Sequence, residues 1–373
     1  MEVSKLYNVV FELVDENESL KINELITNLI NSISQNRANQ IEGYLNELNK
    51  AFDSSKSNFF SISSSKILKE ISGESYFGQG AKNAIEEILI STPFNNALTL
   101  QKLQEFNKRR ADFVSKITQL DTIFESLDLS FHFYNDDTYE IGLIFPEYVT
   151  ENKIKSINAN LHKWDQIFKT LKEITGDEVE DTKISLVNNG SLEFFFENSP
   201  KIALCLSIAI ERLATLYKRI LEIRTARLKL EELGAPKSES NAIQEHEKIV
   251  IEKAIKEIVE QIFKEHAARL ETGRKNELKN ALTSNVKFIA KSIDKGIAIE
   301  ITPPEVNKPE IINELDTEEN KRGKIIAEKE YKEKLAKVEL ANKRTELARE
   351  IFNSGKEVFK YLAIGEENDN NEE

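Results

Sequence analysis

Alternation of apolar and polar residues, the mark of a strand with one face in a core, is confined to three stretches of this chain. Leu129, Phe131 and Phe133 alternate with polar neighbours before an Asn135-Asp136-Asp137 turn and a second run, Tyr139, Ile141, Leu143 and Phe145. Ile184-Ser185-Leu186-Val187 and Leu192-Glu193-Phe194-Phe195-Phe196 flank Asn189-Gly190, residues that accept the positive φ angles of a type I′ turn. Ile297-Ala298-Ile299-Glu300-Ile301 is the third stretch. Two hairpins and one further strand are therefore expected. Their apolar residues fall on both faces, as central strands covered on both sides require.

Elsewhere the apolar spacing is helical. Residues 20–34, 36–52, 64–71 and 81–90 read as short helices. In a long one over 98–127, Leu100, Leu103, Phe106, Phe113, Ile117, Leu120 and Phe124 trace one stripe. Residues 150–175 carry Ile154, Ile157, Leu161, Trp164, Phe168 and Leu171 on one face. Ser199-Pro200 is a helix start, with a capping hydroxyl and a proline in the first turn. Behind it Ile202, Leu206, Ala209, Leu213, Leu216, Ile220 and Ile223 keep a heptad seam. Gly234-Ala235-Pro236 ends that helix. Ile251, Ile255, Ile258 and Ile262 mark a return helix over 240–270, so a long helical hairpin is expected.

The fold class that follows is α+β and mostly helical, with a small antiparallel sheet from two ββα units, the helical hairpin and a C-terminal helical arm. The organisation is a helical module over 1–127, the sheet unit with its hairpin over 128–302, a linker over 303–316 containing Pro303, Pro304 and Pro309, and a charged arm over 317–364. An acidic, Asn-rich tail over 365–373 is expected to be disordered. The arm's own seam, Tyr331, Leu335, Val338, Asn342, Thr345 and Phe352, is broken by polar residues, which predicts an exposed helix.

Composition narrows the function. A net charge of −13 argues against nucleic acid as a partner, because phosphate binding draws on Lys and Arg. The basic clusters Lys108-Arg109-Arg110, Lys218-Arg219 and Arg224 with Arg227 are each flanked by acidic residues at helical spacing. One cysteine, Cys205, excludes a disulfide within the chain and sits in an apolar run. No stretch has the length and apolarity of a membrane span and the start lacks an export signal, so a cytoplasmic location is expected.

Few residues form a pattern with chemistry in it. Asp177, Glu178, Glu180, Asp181 and Lys183 crowd a turn before a strand. Carboxylates beside a lysine are what a Mg²⁺-dependent phosphodiester hydrolase needs, and Asp177, Glu180, Asp181 and Lys183 are its candidate residues here, although a solvated acidic turn has the same composition. Residues 73–82 are glycine-rich, but Gln79 stands where a phosphate-binding loop needs its lysine. His132, His162, His246 and His266 fall on separate elements, so no metal site and no cofactor are expected.

Trp164, Asn189-Gly190-Ser191-Leu192-Glu193, Tyr217-Lys218-Arg219-Ile220-Leu221-Glu222-Ile223-Arg224, Gly234 and Gly273-Arg274-Lys275-Asn276-Glu277-Leu278 together resemble a recurrent group of uncharacterised bacterial proteins. The resemblance covers roughly the middle third, implies a bacterial source and brings no catalytic residue with it. A heptad helix and a charged arm suit self-association better than holding a substrate. The expected function is accordingly a non-enzymatic, homo-oligomeric adaptor or assembly protein, placed by association in a bacterial defence or stress system. Ile202, Leu206, Leu213, Leu216, Ile220 and Ile223 are its expected self-association residues, and the hydrolase is the alternative.

Overall fold

A computed structural model describes residues 3–92, 95–127, 138–188, 192–234, 236–267, 271–304, 318–351 and 358–359. The chain is a mostly helical α+β protein and divides into two compact units, Met1–Phe133 and Tyr134–Glu373.

The described elements of the first unit are all helical, the α-helices being α1 (Val3–Leu20), α2 (Ile22–Ser34), α3 (Ala38–Asp53), α4 (Ile62–Glu70), α5 (Gly78–Ser91) and α6 (Asn96–Ser126). The long α6 serves two apolar clusters. Leu103 and Phe106 join Ile22, Ile26, Leu29 and Phe52 from α2 and α3, while Val114, Ile117 and Phe124 join Val9, Val10 and Leu13 from α1. Arg110, also on α6, is fully buried. Its guanidinium donates to the Tyr76 carbonyl at 2.9 Å, to Asn17 Oδ1 at 3.1 Å and to Asn23 Oδ1, and it lies 5.2 Å from the centre of the Phe77 ring. Burial draws its pKa down to about 10. Glu16, equally buried, accepts a 2.7 Å hydrogen bond from Ser55 Oγ, and loss of water raises its carboxyl above the ordinary range. The glycines of 73–82 make a corner: a Cβ on Gly80 would stand 2.0 Å from the Glu74 carbonyl oxygen, so only glycine lets α5 start this close to the preceding turn.

The second unit runs β1 (Tyr139–Phe145), α7 (Glu147–Thr150), α8 (Ile154–Thr175), β2 (Ile184–Asn188), β3 (Leu192–Asn198), α9 (Pro200–Glu232), α10 (Lys237–His266), α11 (Thr272–Asp294), β4 (Ala298–Thr302) and α12 (Glu318–Ile351). Its sheet has the order β2-β3-β1-β4, with every described pair antiparallel. Ile141 lies opposite both Phe196 and Ile301, and this face meets the helices, where Phe168 of α8 packs 5.4 Å from Phe196. Trp164 is wholly buried beside Phe168 and Phe288. The opposite face carries Gly142, Phe195 and the buried Glu140, Glu193 and Glu300.

The sheet differs in assembly from two side-by-side hairpins. Residues 129–134 and the 135–137 turn lie outside the described residues, and β1, the other half of that expected hairpin, has both edges taken by β3 and β4. In the β2–β3 hairpin Asn188 faces Glu193 and the register shifts between Ile184 and Leu186. A two-residue turn on Asn189-Gly190 would have set Asn188 against Ser191. The turn residues, the greater part of the linker (305–316) and the tail (365–373) lie outside the described residues.

Ser199 caps α9 by accepting from the Ile202 N–H at 3.4 Å, with Pro200 in the first turn. From Ile202 to Ile210 every side chain of α9 is buried, so this helix is the axis of the unit. α10 returns along it through Ile251, Ile255, Ile258 and Ile262, all buried. Among the described residues no helix is long and apolar enough to cross a membrane.

Candidate interaction site

The expected self-association seam lies inside the unit. Ile202, Leu206, Leu213, Leu216 and Ile220 are buried within one chain, and Ile223 is partly so. A heptad stripe states that a helix face will be covered and is silent about what covers it. Here the chain's own sheet and helices do, and the seam offers no free surface. The expected exposed arm needs the same correction. The second half of α12 packs on α9: Ala341 and Thr345 are buried, and Arg344 reaches Glu211 of α9 at 3.5 Å and Glu265 of α10 at 3.4 Å.

The acidic turn after α8 is drawn in two directions. Asp177 accepts from Ser199 Oγ at the start of α9 and pairs with Lys201 at 3.1 Å. Asp181 pairs with Lys169 of α8 at 2.9 Å, and that hydrogen-bonded ammonium holds its carboxyl below the ordinary range. Glu180 contributes its carbonyl to Lys172 at 2.8 Å, while its side chain and Lys183 face solvent. Among the described residues no three His, Cys, Asp or Glu side chains are disposed to hold a metal ion. A groove of about 470 Å³ runs between α8 and α11. At its rim Arg274 binds Glu173 at 2.7 Å and Glu277 at 2.6 Å, which leaves that guanidinium compensated from within.

Two places distinguish themselves by what they expose or enclose. At the far end of α9, Leu228, Leu230 and the C-cap residue Leu233 face solvent, the last 84% exposed, as do Ile249 of α10 and Ile325 and Ile326 of α12. On the helical layer, Val358 and Phe359 are wholly buried. Asp294, at the end of α11, accepts from the Val358 N–H at 2.9 Å and from the Phe359 N–H. Arg224 of α9 donates to the Val358 carbonyl at 2.7 Å and, from Nε, to Glu247 of α10 at 2.8 Å. The Phe359 ring meets Tyr217 edge on, 6.0 Å between centres.

No sequence pattern brings these residues together. Asp294, Arg224, Glu247 and Tyr217 come from three helices, and only Arg224 belongs to a cluster that the composition picks out. No protein-family model, no curated protein and no solved structure matches the chain.

Proposed function

We propose that this chain is a non-enzymatic, self-associating adaptor or assembly protein of the bacterial cytoplasm, with protein rather than nucleic acid as its partner. The observation that supports this reading is the trio Leu228, Leu230 and Leu233 standing in water at the end of the longest hairpin. Burying a leucine side chain gains roughly 1.5–3 kcal/mol. In a symmetric dimer two such leucines from each chain supply about 6–12 kcal/mol, comparable with the estimated 4–15 kcal/mol of translational and rotational freedom lost on association. A defence or stress role is an extension by association. The net charge of −13 favours protein over phosphate backbones as the thing bound.

Light scattering with size exclusion at micromolar concentration tests it. The expected result is a mass of at least two chains, falling to one chain in L228E/L233E with an unchanged thermal midpoint. A single-chain mass for the wild-type protein overturns the proposal.

A further inference from the structure

Val358 and Phe359 are held mainly through groups that every peptide has. One carboxylate, Asp294, takes two consecutive backbone N–H groups, and one guanidinium, Arg224, takes the carbonyl between them. Bonds of this kind, with one partner charged, are the stronger class of hydrogen bond. Among the described residues, side-chain selection enters through two apolar positions, both 0% exposed, the second against Tyr217. The walls stand on α9, α10 and α11, which the core fixes, so the cradle is organised before anything enters it. It also holds more polar capacity than its occupant uses. Glu247, 1% exposed, gives Oε1 to Arg224, while its Oε2 has no hydrogen-bond partner among the described residues. A buried carboxylate oxygen left without a donor is costly, and a ligand that brings one N–H or O–H more than Val358-Phe359 gains there.

We propose that the cradle formed by Asp294, Arg224, Glu247 and Tyr217 is a peptide-recognition site for a protein segment carrying an aliphatic residue followed by an aromatic one, that Val358-Phe359 is its built-in ligand, and that a partner bearing such a pair binds by displacing it. Recognition of this kind uses neither an added strand nor an amphipathic helix; it reads two N–H groups, one carbonyl and two apolar side chains.

The test uses the full chain with the cradle cleared, V358S/F359S, and a fluorescein-labelled synthetic peptide of the sequence 354–362, followed by anisotropy. The cleared protein is expected to bind the peptide at least tenfold more tightly than the wild type, whose own segment competes. Methylating the peptide nitrogen of its phenylalanine removes one donor to Asp294 and should weaken binding roughly ten- to a hundredfold. Arg224→Met in the cleared chain should weaken it similarly. A cleared chain that keeps the wild-type far-UV circular dichroism and does not bind, or that binds the methylated peptide equally well, overturns the proposal. Should V358S/F359S fail to fold, F359L weakens the internal competitor more gently, and peptide binding no tighter than to the wild type then overturns it. The readout is affinity and not mass, so it is independent of whether the chain self-associates.

Discussion

Gly142 gives the sharpest stability prediction. It lies mid-strand in β1, opposite Phe195 on β3 and Glu300 on β4. A Cβ there would sit 2.6 Å from Phe195 Cε1, 2.9 Å from its Cδ1 and 3.3 Å from the Glu300 Cβ. Carbon atoms pack at about 3.5–4.0 Å, so the Phe195 ring, 0% exposed, must retreat by roughly an ångström into filled space. Gly142→Ala should cost about 1–3 kcal/mol, the range for overpacking a close-packed core. Trp164 is the only tryptophan and is buried in the same unit, so its fluorescence in urea follows that unit alone. With a slope of about 3 kcal/mol/M the midpoint should fall by roughly 0.3–1 M. The decisive measurement is a double-mutant cycle. If glycine is there to admit the ring, Gly142→Ala combined with Phe195→Leu must cost at least about 1 kcal/mol less than the two single costs added. Additivity within about 0.5 kcal/mol would refute the reasoning, since distant, independent sites behave that way.

Burial raises the Glu16 carboxyl, so the folded first unit binds this proton more tightly than the unfolded chain. The stabilisation is full below the unfolded value and is lost as pH rises through the raised one. Glu16→Gln should therefore gain stability over wild type as pH climbs above about 4.5, a widening gap that calorimetry reads. The Cys205 thiol, pushed up to about 12 by burial, should stay inert to thiol reagents between neutral and mildly alkaline pH and react on unfolding; labelling of the native chain at the rate of a free thiol would contradict this. Ser199→Ala removes both the α9 cap and a hydroxyl bound to Asp177, and should cost about 1 kcal/mol in the same urea assay. Arg110→Lys should lose about 1–3 kcal/mol, because one ammonium cannot reach the Tyr76 carbonyl, Asn17 and Asn23 in the geometry of a planar fork.

The class of fold could be read from period alone: alternating runs became β1, β2, β3 and β4, and the stripes became helices. Register could not. A bulge between Ile184 and Leu186 and the pairing of Asn188 with Glu193 depend on how the whole sheet settles, whereas a turn motif reports only its local preference. The helix α1 escaped the reading, although Leu6, Val9, Val10 and Leu13 recur at steps of three and four, because polar residues dominate around them. The heptad of α9 was legible as a buried face, yet its partners come from β1, α10 and α12, which no local pattern encodes. The acidic turn was visible as composition. That Asp177 turns to α9 and Asp181 to α8 is a tertiary fact, as is the meeting of Asp294, Arg224 and Glu247.

The position of β1 bears on how the protein is made. Its two neighbours are β3, at residues 192–198, and β4, at residues 298–302. A ribosome adding about 5–20 residues per second takes roughly eight to thirty seconds to pass from the end of β1 to the end of β4. Throughout that interval the nascent chain carries a strand edge awaiting its partner, and once α9 is made its apolar stripe waits for its later covers. Exposed edges and apolar stripes are what capture neighbouring chains. The first unit, whose clusters draw only on residues before 128, completes its contacts early, so the risk of misassembly during synthesis concentrates in the second, and the speed of elongation across residues 200–302 becomes a determinant of the yield of folded protein.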